Sequence, residues 1–336
     1  MTTEAVTPEV VTAAVDSDRG ARGGTATRIV LRVITGLGVL WGATTLSFLG
    51  VRLAPGDTVD VLLGEQQRTP EVEAAIRAEW GLDSPAVVQY ARYLWNVAHG
   101  DFGRSYVLQR PVSEVIGSQA GPTLALTGAA LLVAVVFAVV VATSTAQRRR
   151  SRAIANAVEL ALVSTPAFWL GIVLLSVFSF QLKIFPVAAN KGLSALVLPA
   201  LALGLSLGAV ISQVLRDGLE RALDEPFAVT VRSWSVSENA LRLRHGLRHA
   251  ALPAVTLTGW LVGGLLGGAV IIEEVFGRPG LGRVTVDAVL AQDLPVVLAV
   301  AILSAFVYVV ISTLVDLLYL WLDPRLRRDA RKGEQR

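Results

Sequence analysis

The fold of this chain is decided by residues 122–150, PTLALTGAALLVAVVFAVVVATSTAQRRR. The first part, Pro122–Ala146, carries no charged side chain, and three arginines follow it within four positions. An α-helix rises 1.5 Å per residue, so about 20 apolar residues cross a hydrocarbon layer of about 30 Å. The stretch is therefore long enough to span a membrane, and a cationic cluster marks one of its ends.

Six such stretches predict an all-α integral membrane protein with six transmembrane helices. Of the 336 residues, 53% are hydrophobic and only 17% are charged, too few to cover the surface of a soluble domain of this length. The chain has no cysteine, which excludes disulfides, thiolate metal sites and thiol nucleophiles. The predicted spans are Ile29–Val51, Pro122–Ala146, Ile154–Leu182, Leu196–Leu215, Pro253–Ile272 and Leu294–Leu322.

Positive side chains cluster at alternate ends of the six spans. The positive-inside rule then places every cluster, and both termini, on the cytoplasmic side. Residues 1–28 are predicted to be a disordered cytoplasmic tail, and residues 323–336 a basic cytoplasmic tail. The clusters are Arg22, Arg28 and Arg32; Arg148, Arg149, Arg150 and Arg152; Arg216, Arg221, Arg232, Arg242, Arg244 and Arg248; and Arg325, Arg327, Arg328, Arg331 and Lys332.

The segment 52–121 lies outside the cytoplasm in this topology and is too long to lack structure of its own. Two parts of it, Pro70–Trp80 and Pro85–Ala98, have apolar residues at helical spacing. We expect a small, mainly helical extracytoplasmic insertion after the first span. Its aromatic face would rest on the membrane surface or on a partner.

Ionisable residues inside a membrane usually mark an ion or proton pathway, and the six spans contain almost none. Glu159 and Asp316 lie near cytoplasmic ends, where we expect them to cap helices or to pair with loop arginines. His245 and His249 have a spacing that can hold zinc, but without an obvious third ligand we interpret them as surface histidines. No lysine is followed by serine or threonine, so the chain lacks a P-loop and cannot itself be a P-loop ATPase.

Glycines recur at four-residue spacing in the fifth predicted span, at Gly259, Gly263 and Gly267, and Gly204 and Gly208 do so in the fourth. Small residues at this spacing let helices approach closely. This ridge of glycines either serves helix packing alone or lines a translocation pathway, in which case the helices slide against each other when the pathway opens. A proline in the third span, Pro166, is expected to kink that helix or to free backbone groups there.

The cytoplasmic connection 216–252 is the most unusual loop. Ser235 and Glu238 form an S-x-x-E pattern, which predicts a capping box at the start of a helix with one apolar face. Pro253 is predicted to end this helix and to begin the fifth span. Two short helices that meet at Ser235–Ser237 would form a knob able to dock into a groove of a partner, although an amphipathic helix on the membrane surface fits the pattern as well.

Several motifs carry a resemblance to a known family. The connection reads TVRSWSVSENALRLRHGLRHAALP from Thr230 to Pro253, and STPAFWLGI (164–172) and EEVFGRPGLGR (273–283) lie in and after other spans. Together with RLAPGD (52–57) and VDLLYLWLDPRLR (315–327), they resemble binding-protein-dependent ABC transporter permeases of the dipeptide, oligopeptide and nickel family, B-type subunit. The connection is similar to the EAA loop of those proteins, and the resemblance spans residues 28–328.

This resemblance implies a type I ABC importer permease fold, with a core over residues 122–322 and a coupling loop over 216–252. The chain would form half of a pathway for peptides or related solutes in the bacterial cell membrane. It would act with a second homologous permease, an extracytoplasmic solute-binding protein and two P-loop ATPases, which bind the ATP and Mg²⁺. The chain itself would hold no cofactor or metal, bind no nucleic acid and catalyse no reaction. The residues implied to contact the ATPases are Arg232, Ser235, Val236, Ser237 and Glu238.

One departure from the family pattern lies within the loop. Trp234 and Ser235 stand where the family has lysine and glycine, which leaves the shape of the turn open. The substrate also stays open, because permeases for peptides, nickel chelates, haem and glutathione share these motifs. A secondary transporter or channel acting alone, or a membrane scaffold, remains an alternative.

Overall fold

The structure is a computed structural model that describes residues 25–53, 58–63, 68–187 and 192–322. Within these ranges every regular element is helical, and one isolated bridge joins Arg104 to Pro111. The helices are α1 (Thr25–Leu53), α2 (Thr58–Leu63), α3 (Pro70–Trp80), α4 (Ala86–Ala98), α5 (Val112–Thr145), α6 (Arg149–Ser164), α7 (Ala167–Leu174, continued by a π-helical turn Leu175–Gln181), α8 (Ser194–Leu223), α9 (Pro226–Ser233), α10 (Glu238–Ala240, continued by a π-helical turn Leu241–Gly246), α11 (Leu247–Val275), α12 (Leu281–Leu290) and α13 (Leu294–Leu322).

The helices confirm the predicted all-α membrane protein. Four of them, α1, α5, α8 and α13, are each long and apolar enough to span a bilayer. The bent pair α6 and α7, and the bent run from α10 through α11, bring the number of candidate spans to six. Most of the predicted tails, residues 1–24 and 323–336, lies outside the described residues, and α1 begins at Thr25, inside the predicted tail 1–28.

Two prolines that were predicted to mark the start of a membrane span, Pro122 and Pro253, lie inside helices instead. The second predicted span begins at Pro122, but α5 begins ten residues earlier and runs through that proline. Pro253 likewise lies inside α11, so the predicted end of the coupling-loop helix at this residue is wrong. A helix in a membrane tolerates proline when neighbouring groups or local adjustments satisfy the freed backbone groups.

The predicted third span is broken at Pro166, which confirms the expected kink. Thr165 takes an extended conformation, with φ −91° and ψ 123°, because a following proline disfavours the helical region. Helices α6 and α7 consequently meet at 103°. The stretch Ile154–Leu182 is therefore two helical segments rather than one straight span.

The core lies between α5 and α8, which pack closely through small residues. Alanines recur every fourth residue along α5 and are fully buried, namely Ala130, Ala134, Ala138 and Ala142. A Cβ placed on Gly204 would lie 2.5 Å from the carbonyl oxygen of Ala130, and one on Gly208 would lie 2.9 Å from that of Ala134. The close approach expected of these two glycines is thus present, with the alanine ridge of α5 as its partner.

On the predicted extracytoplasmic side, two buried carboxylates hold the connections together. Glu273, in the last turn of α11, accepts hydrogen bonds from the hydroxyl of Thr123 (2.6 Å) and from the amide of Gly282 (2.8 Å), in the first turn of α12. Asp293 accepts bonds from the hydroxyl of Ser105 and the amide of Tyr106. The first carboxylate joins α5, α11 and α12, and the second fastens the insertion to the start of α13. The motif EEVFGRPGLGR contains Glu273 without indicating its partners, and Asp293 lies in no motif.

The insertion between α1 and α5 is helical, as expected. Two of its aromatic side chains pack on the first span, whereas Trp95 of the same helix is 68% exposed. The rings of Tyr90 and Tyr93 in α4 lie 5.3 and 5.9 Å from that of Phe48 in α1, measured between centroids.

Candidate coupling site

The connection between α8 and α11 folds into two short helices joined by a tight turn. Glu225 is extended and Pro226 opens α9, a position where the missing N–H of proline costs nothing. After α9 ends at Ser233, residues 234–237 reverse the chain into α10. The expected meeting of two short helices at Ser235–Ser237 is therefore present.

The turn depends on Ser235, which has a φ of 59°, in the left-handed region. Its amide donates to the carbonyl of Arg232 at 3.1 Å, and the amide of Trp234 donates to that of Val231 at 3.2 Å, so the end of α9 is closed. A side chain costs energy in this conformation, and glycine does not. The turn thus has the left-handed geometry that the glycine of the family permits, in spite of the substitution.

The predicted capping box is wrong in its residues. Ser237, not Ser235, is the N-cap, because its hydroxyl accepts from the amide of Ala240 at 3.3 Å. Ser235 cannot fill this role because its left-handed backbone terminates the preceding helix two residues before the cap. Glu238 consequently occupies the first position of α10 and not the third.

Glu238 instead pairs with Arg232 across the turn. The guanidinium Nε donates to Oε1 at 2.9 Å and Nη2 donates to Oε2 at 3.4 Å, so both carboxylate oxygens are engaged. The hydrogen bond from Arg232 lowers the pKa of Glu238, and the reverse interaction raises the pKa of Arg232. Both side chains are more than a third exposed, so the pair adds little stability but fixes the shape of the turn.

The turn and its helices are fastened to α8 by close packing. A Cβ on Gly246 would lie 2.5 Å from Leu219, and one on Gly218 would lie 3.2 Å from Ala250. Leu241 is fully buried, and Ala228 in α9 is too. These contacts pack the connection closely against α8 and join it to the start of α11.

His249 stacks on the ring of Phe227, with centroids 4.6 Å apart and planes 21° apart, which joins α11 to α9. It is exposed, and His245 is half-buried. Among the described residues, no three His, Cys, Asp or Glu side chains are placed to hold a metal ion.

Three large apolar side chains on this connection remain uncovered in the chain. Val229 and Trp234 are each 67% exposed, and Leu243 is 50% exposed. Val236, by contrast, is half-buried and packs against the core. We call Val229, Trp234 and Leu243 the docking residues. These exposed side chains, of which Trp234 lies in the turn itself, are free to contact another protein.

A buried ion pair joins α6 to α8. Arg216 donates from Nη1 and Nη2 to the two carboxylate oxygens of Glu159, at 2.9 and 2.7 Å, and both side chains are at most 2% exposed. Arg216 also donates to Asn156 and to the hydroxyl of Thr145, and the hydroxyl of Ser212 donates to Glu159. The expected pairing of Glu159 with an arginine is confirmed, although that arginine lies inside α8. The side chain of Asp316 lies outside the described residues.

The glycine ridge of α11 divides into two environments. A Cβ on Gly263 would lie 2.9 Å from the ring of Tyr308 in α13, so this residue makes a close helix contact. Gly259 is half-buried. Gly267 is exposed, and a Cβ there would meet no atom within 4 Å. Close packing within the chain therefore accounts for Gly263 and does not account for Gly267.

Comparisons with known proteins agree with this architecture. A family model described as "Binding-protein-dependent transport system inner membrane component" matches residues 112–328. A protein named as a peptide transport system permease of Brucella abortus (strain 2308) is 36% identical over 311 residues, which cover 90% of this chain and 99% of that protein. The glutathione transport system permease protein GsiC of Salmonella paratyphi A is 38% identical over 284 residues, covering 84% and 92% of the two chains.

Among solved structures, an amino acid ABC transporter crystallised with histidines is similar at a TM-score of 0.46 and 19% identity, over 60% of this chain and 91% of that chain. A likeness of this size supports no argument about residues.

Proposed function

Because the chain belongs to the family of binding-protein-dependent transport system inner membrane components, we propose that it carries peptides inward as one of two membrane subunits of an ATP-driven transporter. The names of its relatives specify peptides and glutathione, and glutathione is itself a small peptide. A second, homologous permease would complete the pathway. An extracytoplasmic binding protein would deliver the solute.

The observation that carries the proposal is the connection between α8 and α11. It combines the closed turn of Arg232 and Glu238 with exposed docking residues, and it is packed rigidly on two helices of the core. A transporter acting alone gains nothing from such a surface. A transporter driven by separate ATPases needs one, because force must pass from one protein to another.

In this mechanism the partner ATPases bind ATP and Mg²⁺ and close around the nucleotide. Their movement is transmitted by the turn at Arg232, Ser235, Val236, Ser237 and Glu238, where the docking residues fill a groove of the ATPase. Because the connection is packed on α8 and continuous with α11, both helices tilt with it. The tilt opens the pathway alternately to the two sides of the membrane. The chain itself makes and breaks no covalent bond.

The contact with the ATPases can be tested by cross-linking, since the chain has no cysteine of its own. A Trp234→Cys permease, expressed with its partners, should cross-link to the ATPase subunit, and the yield should change when ATP and Mg²⁺ are added. Ala75→Cys is the control, because Ala75 is exposed on α3 in the insertion. ATPase cross-linked to position 75 and not to position 234 would overturn the proposed arrangement.

The solute class needs a separate measurement. Proteoliposomes that contain the purified transporter and its binding protein should take up a labelled dipeptide or labelled glutathione when ATP is enclosed. Uptake of a nickel chelate, with neither peptide transported, would replace the peptide proposal and leave the coupling proposal intact.

A further inference from the structure

Helix α4 of the insertion is apolar on two faces, and only one of them is covered within the chain. Tyr90 and Tyr93 lie on the covered face and are half-buried. Val87 and Trp95 lie on the opposite face and are 77% and 68% exposed. Val88, which is 45% exposed, and the exposed Ala91 complete this second face, which contains no charged residue.

The covered face is packed on the first membrane span. The hydroxyl oxygens of Tyr90 and Thr45 lie 2.6 Å apart, and the ring of Phe48 contacts both tyrosines of α4. Gln89 adds hydrogen bonds to the carbonyls of Leu82 and Ser84, which fix the turn before α4. Helix α4 is thus held in a defined orientation against α1.

The contact involves the part of α1 that is apolar enough to span a bilayer. Both Thr45 and Phe48 fall within Val33–Gly50, the part of α1 that is apolar enough to cross a membrane. Thr45 is eight residues before the end of α1 at Leu53, so it lies about 12 Å along the helix axis from that end. Because α4 contacts α1 so far from its end, α4 cannot stand clear of the membrane in the surrounding water.

The lipid-facing side of α1 continues next to this contact. Leu46, Leu49 and Leu53 are 71%, 45% and 81% exposed. Each directly follows a residue that contacts α4, namely Thr45, Phe48 and Arg52. One residue turns a helix by about 100°, so the exposed leucines flank the contact. Lipid that covers these leucines is adjacent to α4.

The composition of α4 also differs from that of its neighbour α3. Helix α3 carries Glu71, Glu73 and Arg77, as expected of a helix in water. Helix α4 has a single charged residue, Arg92, and its guanidinium lies against the end of α3 at Gly81. A Trp and two Tyr on such a helix match the aromatic residues that membrane proteins place at the interface between lipid and water.

We propose that α4 is an interfacial helix whose exposed face, Val87, Val88, Ala91 and Trp95, lies in the outer leaflet of the phospholipid bilayer. Its partner is lipid and not a protein. The helix then fixes the insertion at a constant depth, so that the loop held by Asp293 keeps its height above the pathway. This inference does not depend on which solute is carried.

The proposal is tested by spin labels at two matched positions in the cysteine-free chain. Ala91 and Ala75 are both exposed alanines in helices of the insertion, one on the proposed lipid face of α4 and one on α3. Ala91→Cys and Ala75→Cys permeases are labelled with a nitroxide. Each is then reconstituted, with partner subunits, in vesicles of phosphatidylethanolamine and phosphatidylglycerol. Collisions with oxygen, which concentrates in lipid, are compared with collisions with a water-soluble nickel complex.

We expect the label at position 91 to collide more with oxygen than with the nickel complex, and the label at position 75 to show the reverse. Equal, water-like accessibility at both positions would overturn the proposal. Low accessibility of position 91 to both reagents would also overturn it, because a protein would then cover the face. If Ala91→Cys does not assemble, Val87→Cys on the same face takes its place, with the same expectations.

Discussion

At the scale of single residues, Ser235 shows how a turn keeps its shape after losing the glycine that suits it. Its φ of 59° is a conformation that glycine adopts freely. The closed end of α9 and the cap supplied by Ser237 hold the serine there. The sequence could indicate that something unusual stood in the turn. It could not show which serine would cap, because the choice depends on the left-handed backbone of Ser235, which the S-x-x-E pattern does not indicate.

Replacement of Ser235 tests this account. Ser235→Gly should retain coupling and raise stability by up to about 1 kcal/mol, because the left-handed strain is relieved. Ser235→Val should lower stability, because a β-branched residue tolerates positive φ poorly. The melting temperatures of the two purified variants and of the wild type measure these changes in stability. A valine variant as stable as the glycine variant would show that the backbone at position 235 is not left-handed.

The buried pair of Glu159 and Arg216 is a second residue-scale device. Loss of one partner leaves a buried charge without compensation, which costs about 3–5 kcal/mol. Glu159→Ala should therefore give a permease that is poorly recovered from membranes. The double variant Glu159→Met and Arg216→Met should be recovered close to the wild-type level, because apolar residues can fill the same space. Yield after gel filtration in detergent measures both, and equal recovery of Glu159→Ala and wild type would contradict the buried pair.

At the scale of elements, the apolar runs predicted which segments are helical membrane spans but not where the helices end. Helix α5 begins at Val112, directly after Pro111, and the loop before it is fastened to Asp293, a residue far away in sequence. The break at Pro166 was visible in the sequence because proline acts locally on the residue before it. Helix α12 was missed, since its start depends on the side chain of Glu273 in another helix.

Two glycines on neighbouring helices should respond differently to the same small change. Gly204→Ala places a methyl group 2.5 Å from the carbonyl oxygen of Ala130, so α5 and α8 must separate, at a cost of about 1–3 kcal/mol. Gly267→Ala meets no atom and should leave stability unchanged or slightly higher. Thermal unfolding of the two variants compares them directly. Equal destabilisation would contradict the packing described for α8.

Gly267 also bears on the pathway. If a bulky Gly267→Leu variant folds normally but fails to assemble or transport, the exposed side of α11 faces the second permease or the solute. Its normal transport would show that this part of the ridge faces lipid.

At the scale of the whole molecule, the arginine clusters predict an orientation that the helices alone do not show. A reporter fused after Gly100 should lie outside the cytoplasm, and one fused after Arg221 should lie inside. The positive-inside rule gives the reason, since short loops rich in arginine are retained in the cytoplasm. Alkaline phosphatase and a fluorescent protein report the two sides, and the opposite pattern at either position would contradict the six-span topology.

The central claim is that the turn between α9 and α10 transmits ATP hydrolysis to transport. Its charge pair allows a controlled test. The single variant Glu238→Arg breaks the pair, and the double variant Arg232→Glu, Glu238→Arg restores it with the charges exchanged. An exposed pair adds little stability, so both variants should remain inserted and folded.

The decisive measurement compares ATP hydrolysis with peptide uptake in proteoliposomes that contain the complete transporter and peptide-loaded binding protein. We predict that loaded binding protein stimulates hydrolysis and uptake together in the wild type. In Glu238→Arg the stimulation and the uptake should both be lost, and the exchanged pair should recover at least part of them. A Glu238→Arg transporter that couples hydrolysis to uptake as the wild type does would contradict the account.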